Sequence, residues 1–155
     1  MSTGGAVRER ALGFLGAHHV MTLATSEPWA AAVFYVNEGF ALHFLSAATT
    51  RHSMRLAADP RVAVTLQDDV GGWQVIRGLQ LEGTVAPVPG PSLERVKALY
   101  ARKFPFVGAD APAPIARALE RVGWYTVTPS GVWLVDNARG FAHRDYLALE
   151  GDLSG

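Results

Sequence analysis

The sequence predicts a mainly β fold, a small antiparallel barrel with flanking helices, and three observations lead to this prediction. First, about six or seven apolar segments of strand length follow one another with few helical segments between them. Second, the turns that join the first three segments are too short for a crossover helix, so these strands must pair antiparallel. Third, the same missing crossover disfavours a doubly wound α/β sheet. The predicted strands cover residues 20–25, 29–37, 40–46, 61–67, 73–88, 124–128 and 132–137.

Helices are predicted where apolar residues recur at helical spacing or where helix boundary signals occur. One of them ends at Ala58, because Asp59 precedes Pro60 and the residue before a proline avoids the helical region. Gly78 and Gly83 lie inside a predicted strand and indicate bulges or a close approach of two backbones. The helices are predicted over residues 6–18, 51–58, 89–104 and 111–122.

Composition excludes several classes of protein. The chain of 155 residues has no cysteine, which excludes disulfide frameworks, thiolate metal sites and cysteine nucleophiles. Fourteen basic residues balance fourteen acidic ones, so neither nucleic acid nor an anionic membrane is expected as the main partner. No apolar run reaches the length of a membrane span, and no HExxH or comparable metal motif occurs. We therefore expect one domain over residues 1–155, located in the cytoplasm, without a metal site.

The segment WAAAVFYV, residues 29–36, is apolar on both faces. An antiparallel strand on the surface of a monomer normally alternates between apolar and polar residues. Three consecutive alanines also leave little side chain on either face. The outer face of this strand could pack on a second subunit, on a flat ligand that approaches the backbone closely, or on a helix of the same chain.

A run of polar residues follows the third predicted strand and precedes a predicted helix. Ser46, Thr49 and Thr50 supply hydroxyl groups, Arg51 supplies a guanidinium and His52 an imidazole. A helix N-terminus adds unpaired amides and the positive end of the helix dipole. These are the groups that bind a phosphate, although an ordinary helix cap beside an exposed arginine would have the same pattern.

Five segments in this order resemble the FMN-binding split-barrel superfamily related to pyridoxamine 5′-phosphate oxidase. They are MTLAT, EPWAAAVFYV, FALHFLSAATTRH, DPRVAVTL and IRGLQLEGTV, and the resemblance is best over residues 14–88. It implies an antiparallel split barrel of six to seven strands that binds FMN without a covalent bond. It also implies a homodimer, in which the flavin lies at the interface between the two chains.

The resemblance assigns roles to residues by position. It puts the flavin ring against the backbone of Ala31, Ala32 and Val33, and the FMN phosphate on Ser46, Thr50, Arg51 and His52, with Gln80 near a position that contacts the flavin across the dimer. One departure concerns His52, because the oxidase itself usually has a lysine after the arginine. Near the C-terminus, Arg139, His143 and Arg144 are expected on the substrate side, or else on a solvated last strand.

The resemblance implies an oxidoreductase that passes hydride or electrons between a nicotinamide and an acceptor that the sequence does not identify. We do not expect pyridoxamine phosphate to be oxidised usefully, because the C-terminal segment NARGFAHRD lacks the proline that ends the substrate-binding segment of true oxidases. Two alternatives remain open. The chain could be a flavin-binding carrier or sensor without turnover, or a split barrel that uses a deazaflavin or haem.

Overall fold

The fold is one curled antiparallel sheet with helices around it. The computed structural model describes residues 3–149 and 153. Within these residues all strand pairs are antiparallel, in the order β2-β1-β5-β6-β7-β4-β3, and β8 pairs with the second half of β7. The strands are β1 Val20–Thr25, β2 Trp29–Phe34, β3 Val36–Glu38, β4 Ala41–Ala47, β5 Arg61–Gln67, β6 Arg77–Pro87, β7 Val122–Asp136 and β8 Arg144–Ala148.

Four α-helices flank the sheet in the described part of the chain. Helix α1 packs against β3, β6 and β8, whereas α2 contacts β1 and β2, and α3 contacts β3 and β4. None of these helices is long and apolar enough to span a bilayer. Their bounds are α1 Thr3–Ala17, α2 Arg51–Ala58, α3 Leu93–Lys103 and α4 Ala113–Leu119.

The main core lies inside the curl of the sheet. Strand β5 shows the principle, because Val62, Val64 and Leu66 are buried while the residues between them are exposed. Period-two alternation of this kind fixes which face of the strand turns inward. Helix α1 closes the interior with Phe14 and Leu15, which are both buried. The opposite face of β1, β5, β6 and β8 therefore remains exposed.

The predicted fold class is confirmed, and four details of the sheet differ from the prediction. The strand predicted over 73–88 covers only Arg77–Pro87, because Trp73–Val75 form a 3₁₀ helix. The strand predicted over 29–37 divides at the buried Tyr35, so that β2 and β3 are separate strands. The two strands predicted over 124–128 and 132–137 are one continuous strand, β7, because residues 129–131 form a bulge rather than a turn. Strand β8 was not among the predicted strands, so the described residues contain eight strands instead of six or seven.

The bulge in β7 lies opposite Gly83 of β6. Glu82 pairs with Gly131 and Gly83 with Pro129, so Ser130 is the extra residue. The Ser130 hydroxyl donates to the Glu82 carbonyl at 3.2 Å. A Cβ atom on Gly83 would lie 2.3 Å from the Thr128 carbonyl oxygen. The sequence-based expectation that Gly83 marks a bulge or close approach is thus confirmed. It is also confirmed for Gly78, where a Cβ would lie 2.8 Å from the Leu66 carbonyl oxygen.

We predict that Gly83→Ala destabilises the protein, because a methyl group has no room against the backbone of β7. Overpacking of this kind costs about 1–3 kcal/mol. Gly13→Ala is the matched control, since this position lies within α1 and has no atom within 4 Å of its added Cβ. It should raise the free energy of unfolding by about 0.5–1 kcal/mol through better helix propensity. Urea denaturation measures both changes, and equal stability of the two variants would contradict the steric account of the bulge.

Candidate functional site

The polar run between β4 and α2 folds into a compact hydrogen-bonded corner. The Ser46 Oγ lies 2.8 Å from the His52 Nε2 and 3.1 Å from the Thr50 Oγ1, and the same imidazole nitrogen lies 3.3 Å from the Thr50 Oγ1. Ser46 is buried at the end of β4, and His52 is half-buried in the first turn of α2. The structure therefore brings three of the predicted phosphate-binding side chains together.

Thr50 is the N-cap of α2 and its hydroxyl is already engaged. The Oγ1 accepts from the Ser53 amide at 3.3 Å and lies 3.0 Å from the Ala47 carbonyl and 2.8 Å from the Ser53 hydroxyl. Capping of this type stabilises a helix by about 1 kcal/mol. The hydroxyl of Thr49, in contrast, is exposed and has no partner among the described residues. Thr50 thus shapes the corner, whereas Thr49 offers a free donor.

Burial lowers the pKa of His52 below its ordinary value, because a charged imidazole loses hydration there. The ring is consequently neutral near pH 7, and one of its nitrogens carries a proton while the other accepts. The hydrogen bond to Ser46 fits either tautomer. Because the neutral ring brings no fixed charge, His52 is a weaker phosphate ligand than a lysine would be.

Three arginines lie around this corner, and they differ in their partners. Arg55 pairs with Glu27, and Arg61 pairs with Asp59 at 2.7 Å. Arg51 is exposed, and no carboxylate of the described residues lies within ion-pair distance of it. Its guanidinium carbon instead lies 3.9 Å from the centroid of the Trp29 ring. Arg51 is therefore the cation of this corner whose charge is not neutralised.

The first turn of α2 completes an anion-binding arrangement. The amides of Arg51 and His52 occupy the first two helical positions, where no intrahelical acceptor exists. No acidic residue lies in this turn to compete for them. Free amides, the hydroxyl of Thr49 and the Arg51 guanidinium are the donors that a phosphate monoester requires. The donor set thus fits the phosphate end of FMN.

Strand β2 carries the residues predicted to face a flavin ring. Ala32 is exposed, and Ala31 and Val33 are half-buried. Because β2 is the terminal strand of the sheet, one of its edges is unpaired in the described part of the chain. The Tyr35 amide donates to the His19 carbonyl on the β1 side, so the alternation of the ladder turns the backbone of Ala32 toward the free edge. Helix α2 contacts this strand, and Phe34 at its C-terminal end packs against Phe104 and Phe106. The alanine-rich part of the strand is therefore the part that a flat ligand or a second chain would fit.

Contact between Trp29 and Arg51 joins the two halves of the candidate site. Trp29 is the first residue of β2, and Arg51 is the first residue of α2. The sequence analysis did not assign a role to Trp29, although its position at the start of the alanine-rich strand was a usable signal. A cleft of about 960 Å³ opens elsewhere, beside Arg61, Glu82 and Ser130, and none of the predicted cofactor-binding residues lines it.

Gln80 is not brought to this corner within one chain. It is exposed on the outer face of β6, in a row in which Ala32, Thr22, Thr65 and Gln80 are successive neighbours across four strands. Three strand spacings separate Gln80 from Ala32, or about 14 Å. The same row continues to Trp133 and Tyr146, whose ring centroids lie 4.4 Å apart.

The predicted substrate-side residues lie at the opposite end of β7 from the corner. Ser46 pairs with Gly123, whereas Arg144 pairs with Val135, so about 40 Å of strand separates them at about 3.3 Å per residue. Arg144 is exposed on β8. Within one chain these residues and the corner therefore do not form a common site.

Two of these residues face carboxylates. Arg139 lies 3.9 Å from Asp136, and the His143 Nε2 lies 3.1 Å from Asp145. The Arg10 guanidinium, and to a smaller extent His143, lowers the pKa of Asp145. Only part of the cationic charge predicted here is thus available to a ligand.

The curled antiparallel sheet with flanking helices is the architecture of a pyridoxamine 5′-phosphate oxidase-like split barrel. The family model described as pyridoxamine 5′-phosphate oxidase matches residues 7–136, and the chain belongs to this family. A UPF0306 protein of Photorhabdus laumondii is 28% identical over 136 residues, covering 84% of this chain and 88% of that protein. A UPF0306 protein of Klebsiella pneumoniae is 29% identical over 136 residues, covering 84% and 86%.

Solved structures share the fold at low sequence identity. A haem-binding protein from Mycobacterium smegmatis has a TM-score of 0.72 and 20% identity over 99% of this chain, which spans 61% of that protein. The haem storage protein HutZ of Vibrio cholerae has a TM-score of 0.64 and 14% identity, covering 78% of this chain and 88% of HutZ. An FAD-binding protein from Mesorhizobium loti has a TM-score of 0.64 and 14% identity, covering 85% and 92%.

Proposed function

We propose that the protein binds FMN and acts as an FMN-dependent oxidoreductase. The observation that carries the proposal is the unneutralised Arg51, which lies beside the Ser46–His52 corner and against the first residue of the bare-edged strand β2. A cation with free amides and hydroxyls suits the phosphate, and an uncovered strand of small residues suits the ring. The family to which the chain belongs and its FAD-binding structural neighbour support a flavin as the ligand.

Each residue then has a distinct part in holding the cofactor. Arg51 and Thr49 donate to the phosphate together with the first amides of α2, while Thr50 keeps the helix start in shape. Ser46 and His52 line the base of the corner. The backbone of Ala31, Ala32 and Val33 lies along the flavin ring, which supplies the capacity to accept and release hydride when it is bound.

A homodimer would complete this site. The exposed outer face combines neutral residues, Thr65 and Gln80, with the aromatic pair Trp133 and Tyr146. Aromatic residues are enriched in protein interfaces, and here the exposed Glu82 and Arg144 lie on the same face around the pair. In such a dimer, the family resemblance would place Gln80 of one chain near the flavin of the other. Arg139, His143 and Arg144 of the partner are then candidates for the substrate side.

A nicotinamide is the proposed hydride donor, and the acceptor is a small molecule. The chain has no dinucleotide-binding fingerprint, so the nicotinamide would be held weakly and flavin reduction would be slow. Pyridoxamine phosphate is disfavoured as the substrate, because Arg139 and His143 already pair with carboxylates and offer its phosphate a poor second anchor.

Haem is a second candidate ligand, and one feature of the chain favours it besides the haem-binding neighbours. The imidazole of His19 is exposed and has no hydrogen-bond partner among the described residues. It lies 5.9 Å from the Phe104 ring, next to the exposed rings of Phe34 and Phe106. Histidine is a common axial ligand of haem iron. The absorption spectrum and ligand mass of the purified protein distinguish FMN, a deazaflavin and haem, and a flavin complex without turnover would indicate a carrier or sensor.

We predict that Arg51→Glu weakens FMN binding at least about tenfold, because charge-assisted hydrogen bonds contribute about 1.5–3 kcal/mol and the new carboxylate repels the phosphate. Titration of the apoprotein with FMN, followed by flavin fluorescence, measures the effect. Arg117→Glu, an exposed position on α4, makes the same charge change away from the corner and should bind FMN like the wild type. An unchanged affinity of Arg51→Glu would refute the phosphate assignment.

We predict that the wild type is a dimer at micromolar concentration and that Ala63→Arg shifts it toward the monomer. Ala63 is exposed on the outer face, where a two-fold partner would bring like charges together. Ala98→Arg, an exposed position on α3, is the matched control and should remain dimeric. Sedimentation velocity measures the mass of each species. A wild-type monomer with flavin bound would show that the site does not need a partner.

We predict that NADH or NADPH reduces the FMN-loaded protein slowly and that pyridoxamine phosphate does not. The reactants are mixed anaerobically, and the loss of the flavin absorbance band is followed over time. Free FMN at the same concentration is the control for reduction outside the protein. Fast bleaching by pyridoxamine phosphate would overturn the substrate proposal, and no bleaching by either nicotinamide would favour a carrier or sensor.

A further inference from the structure

We infer that Trp29 is a positioning residue that makes the site selective for a phosphorylated ligand, by holding the guanidinium of Arg51 in a fixed plane. The inference rests on the proposed binding of FMN at this corner, but it concerns a residue to which neither the sequence pattern nor the family resemblance gives a role. The observation behind it is the distance of 3.9 Å between the guanidinium carbon of Arg51 and the centroid of the Trp29 ring.

Stacking on an indole leaves the donors of the guanidinium free. The guanidinium carbon lies 3.9 Å from the ring centroid, and no carboxylate of the described residues occupies the N–H donors. A carboxylate partner would instead occupy those donors, as Glu27 does for Arg55 and Asp59 does for Arg61. Trp29 thus restrains Arg51 without neutralising its charge. An exposed arginine without such a contact would have to lose most of its side-chain freedom when it binds a phosphate.

The position of Trp29 links Arg51 to the strand on which the flavin ring would lie. Trp29 is the first residue of β2, where it pairs with Thr25. The phosphate end and the ring end of the ligand would therefore be held relative to one another by a single side chain. Loss of Trp29 should weaken binding of ligands that carry the phosphate, and should leave binding of the ring alone unchanged.

The test compares FMN with riboflavin, which has the same ring and no phosphate. Trp29→Ala should raise the FMN dissociation constant about 2- to 12-fold, the range that corresponds to the ordering of one long side chain on binding. The riboflavin dissociation constant should stay at its wild-type value, which also shows that the variant is folded. Trp29→Phe keeps an aromatic face and should recover most of the FMN affinity. Trp73→Ala, an exposed tryptophan without a guanidinium on it, should leave the ratio of the two affinities unchanged.

A double-variant comparison isolates the contact itself. In an Arg51→Met background, Trp29→Ala should have no further effect on FMN, because no guanidinium remains to be held. Equal losses for FMN and riboflavin in Trp29→Ala, or the same loss with and without Arg51, would overturn the inference and leave the proposed FMN site intact.

A readout in the free protein separates the failure of this inference from the failure of the proposed function. Because the Arg51 guanidinium carbon lies 3.9 Å from the centroid of the Trp29 ring, the guanidinium signals of Arg51 should show a ring-current shift in NMR spectra, which Trp29→Ala removes. If the wild type binds neither FMN nor riboflavin, the proposed function is wrong. The inference is then tested by titration with inorganic phosphate instead of FMN. A larger response of Arg51 to phosphate in the wild type than in Trp29→Ala would then support the inference, and equal responses would overturn it.

Discussion

The pairing of β6 with β7 is the constraint on which the rest of this structure depends. Strand β7 pairs with β6 along most of its length, with β4 through its first half and with β8 through its second half. The bulge at Ser130, opposite Gly83, lies between the part of β7 that pairs with β4 and the part that pairs with β8. Through β4, this arrangement fixes where α2 begins. Through β6 and β5, it fixes the position of β1 and of β2, which is the last strand at this end of the sheet.

The corner at α2 owes its chemistry to how charges are distributed around it. A cluster of arginines usually recruits carboxylates, and Arg55 and Arg61 have done so. Arg51 has an aromatic neighbour in place of an acidic one, and α2 has no acidic residue in its first turn. The uncompensated positive charge is thus confined to one side chain and one helix end. Burial keeps His52 neutral beside them, so a single fixed charge dominates the local field.

Much of this could be predicted from the sequence, because the strongest signals are local. The strands at 20–25 and 61–67 and the helix at 51–58 match their predicted bounds, since alternation and the Asp59-Pro60 boundary depend on neighbouring residues. Residues 129–131 misled the prediction, because a proline, a serine and a glycine in succession suit a turn as well as a bulge. Only the partner strand decides between the two, and the partner was 46 residues away at Gly83.

In the candidate site, too, contacts between neighbouring residues could be predicted and contacts between distant residues could not. The hydroxyls, Arg51 and His52 are close in sequence, and their proximity in space follows from the short helix that they begin. The contact between Trp29 and Arg51 spans two elements, and Arg10 of α1 reaches Asp136 and Asp145 near the other end of the chain. No periodicity in the sequence encodes contacts of this kind. They follow from the way in which β2 and α2 share one end of the sheet.

The unpaired edge of β2 affects how readily the free protein aggregates. Unpaired amides and carbonyls along an extended strand form a template onto which another extended chain can add. Natural sheets usually guard such edges with lysine, proline or a bulge, and none of these occurs within Trp29–Phe34. A flat ligand or a second chain bound at this edge would therefore also prevent other extended chains from pairing with β2. A cell that makes the protein faster than it supplies that occupant would accumulate aggregates that grow strand by strand from β2.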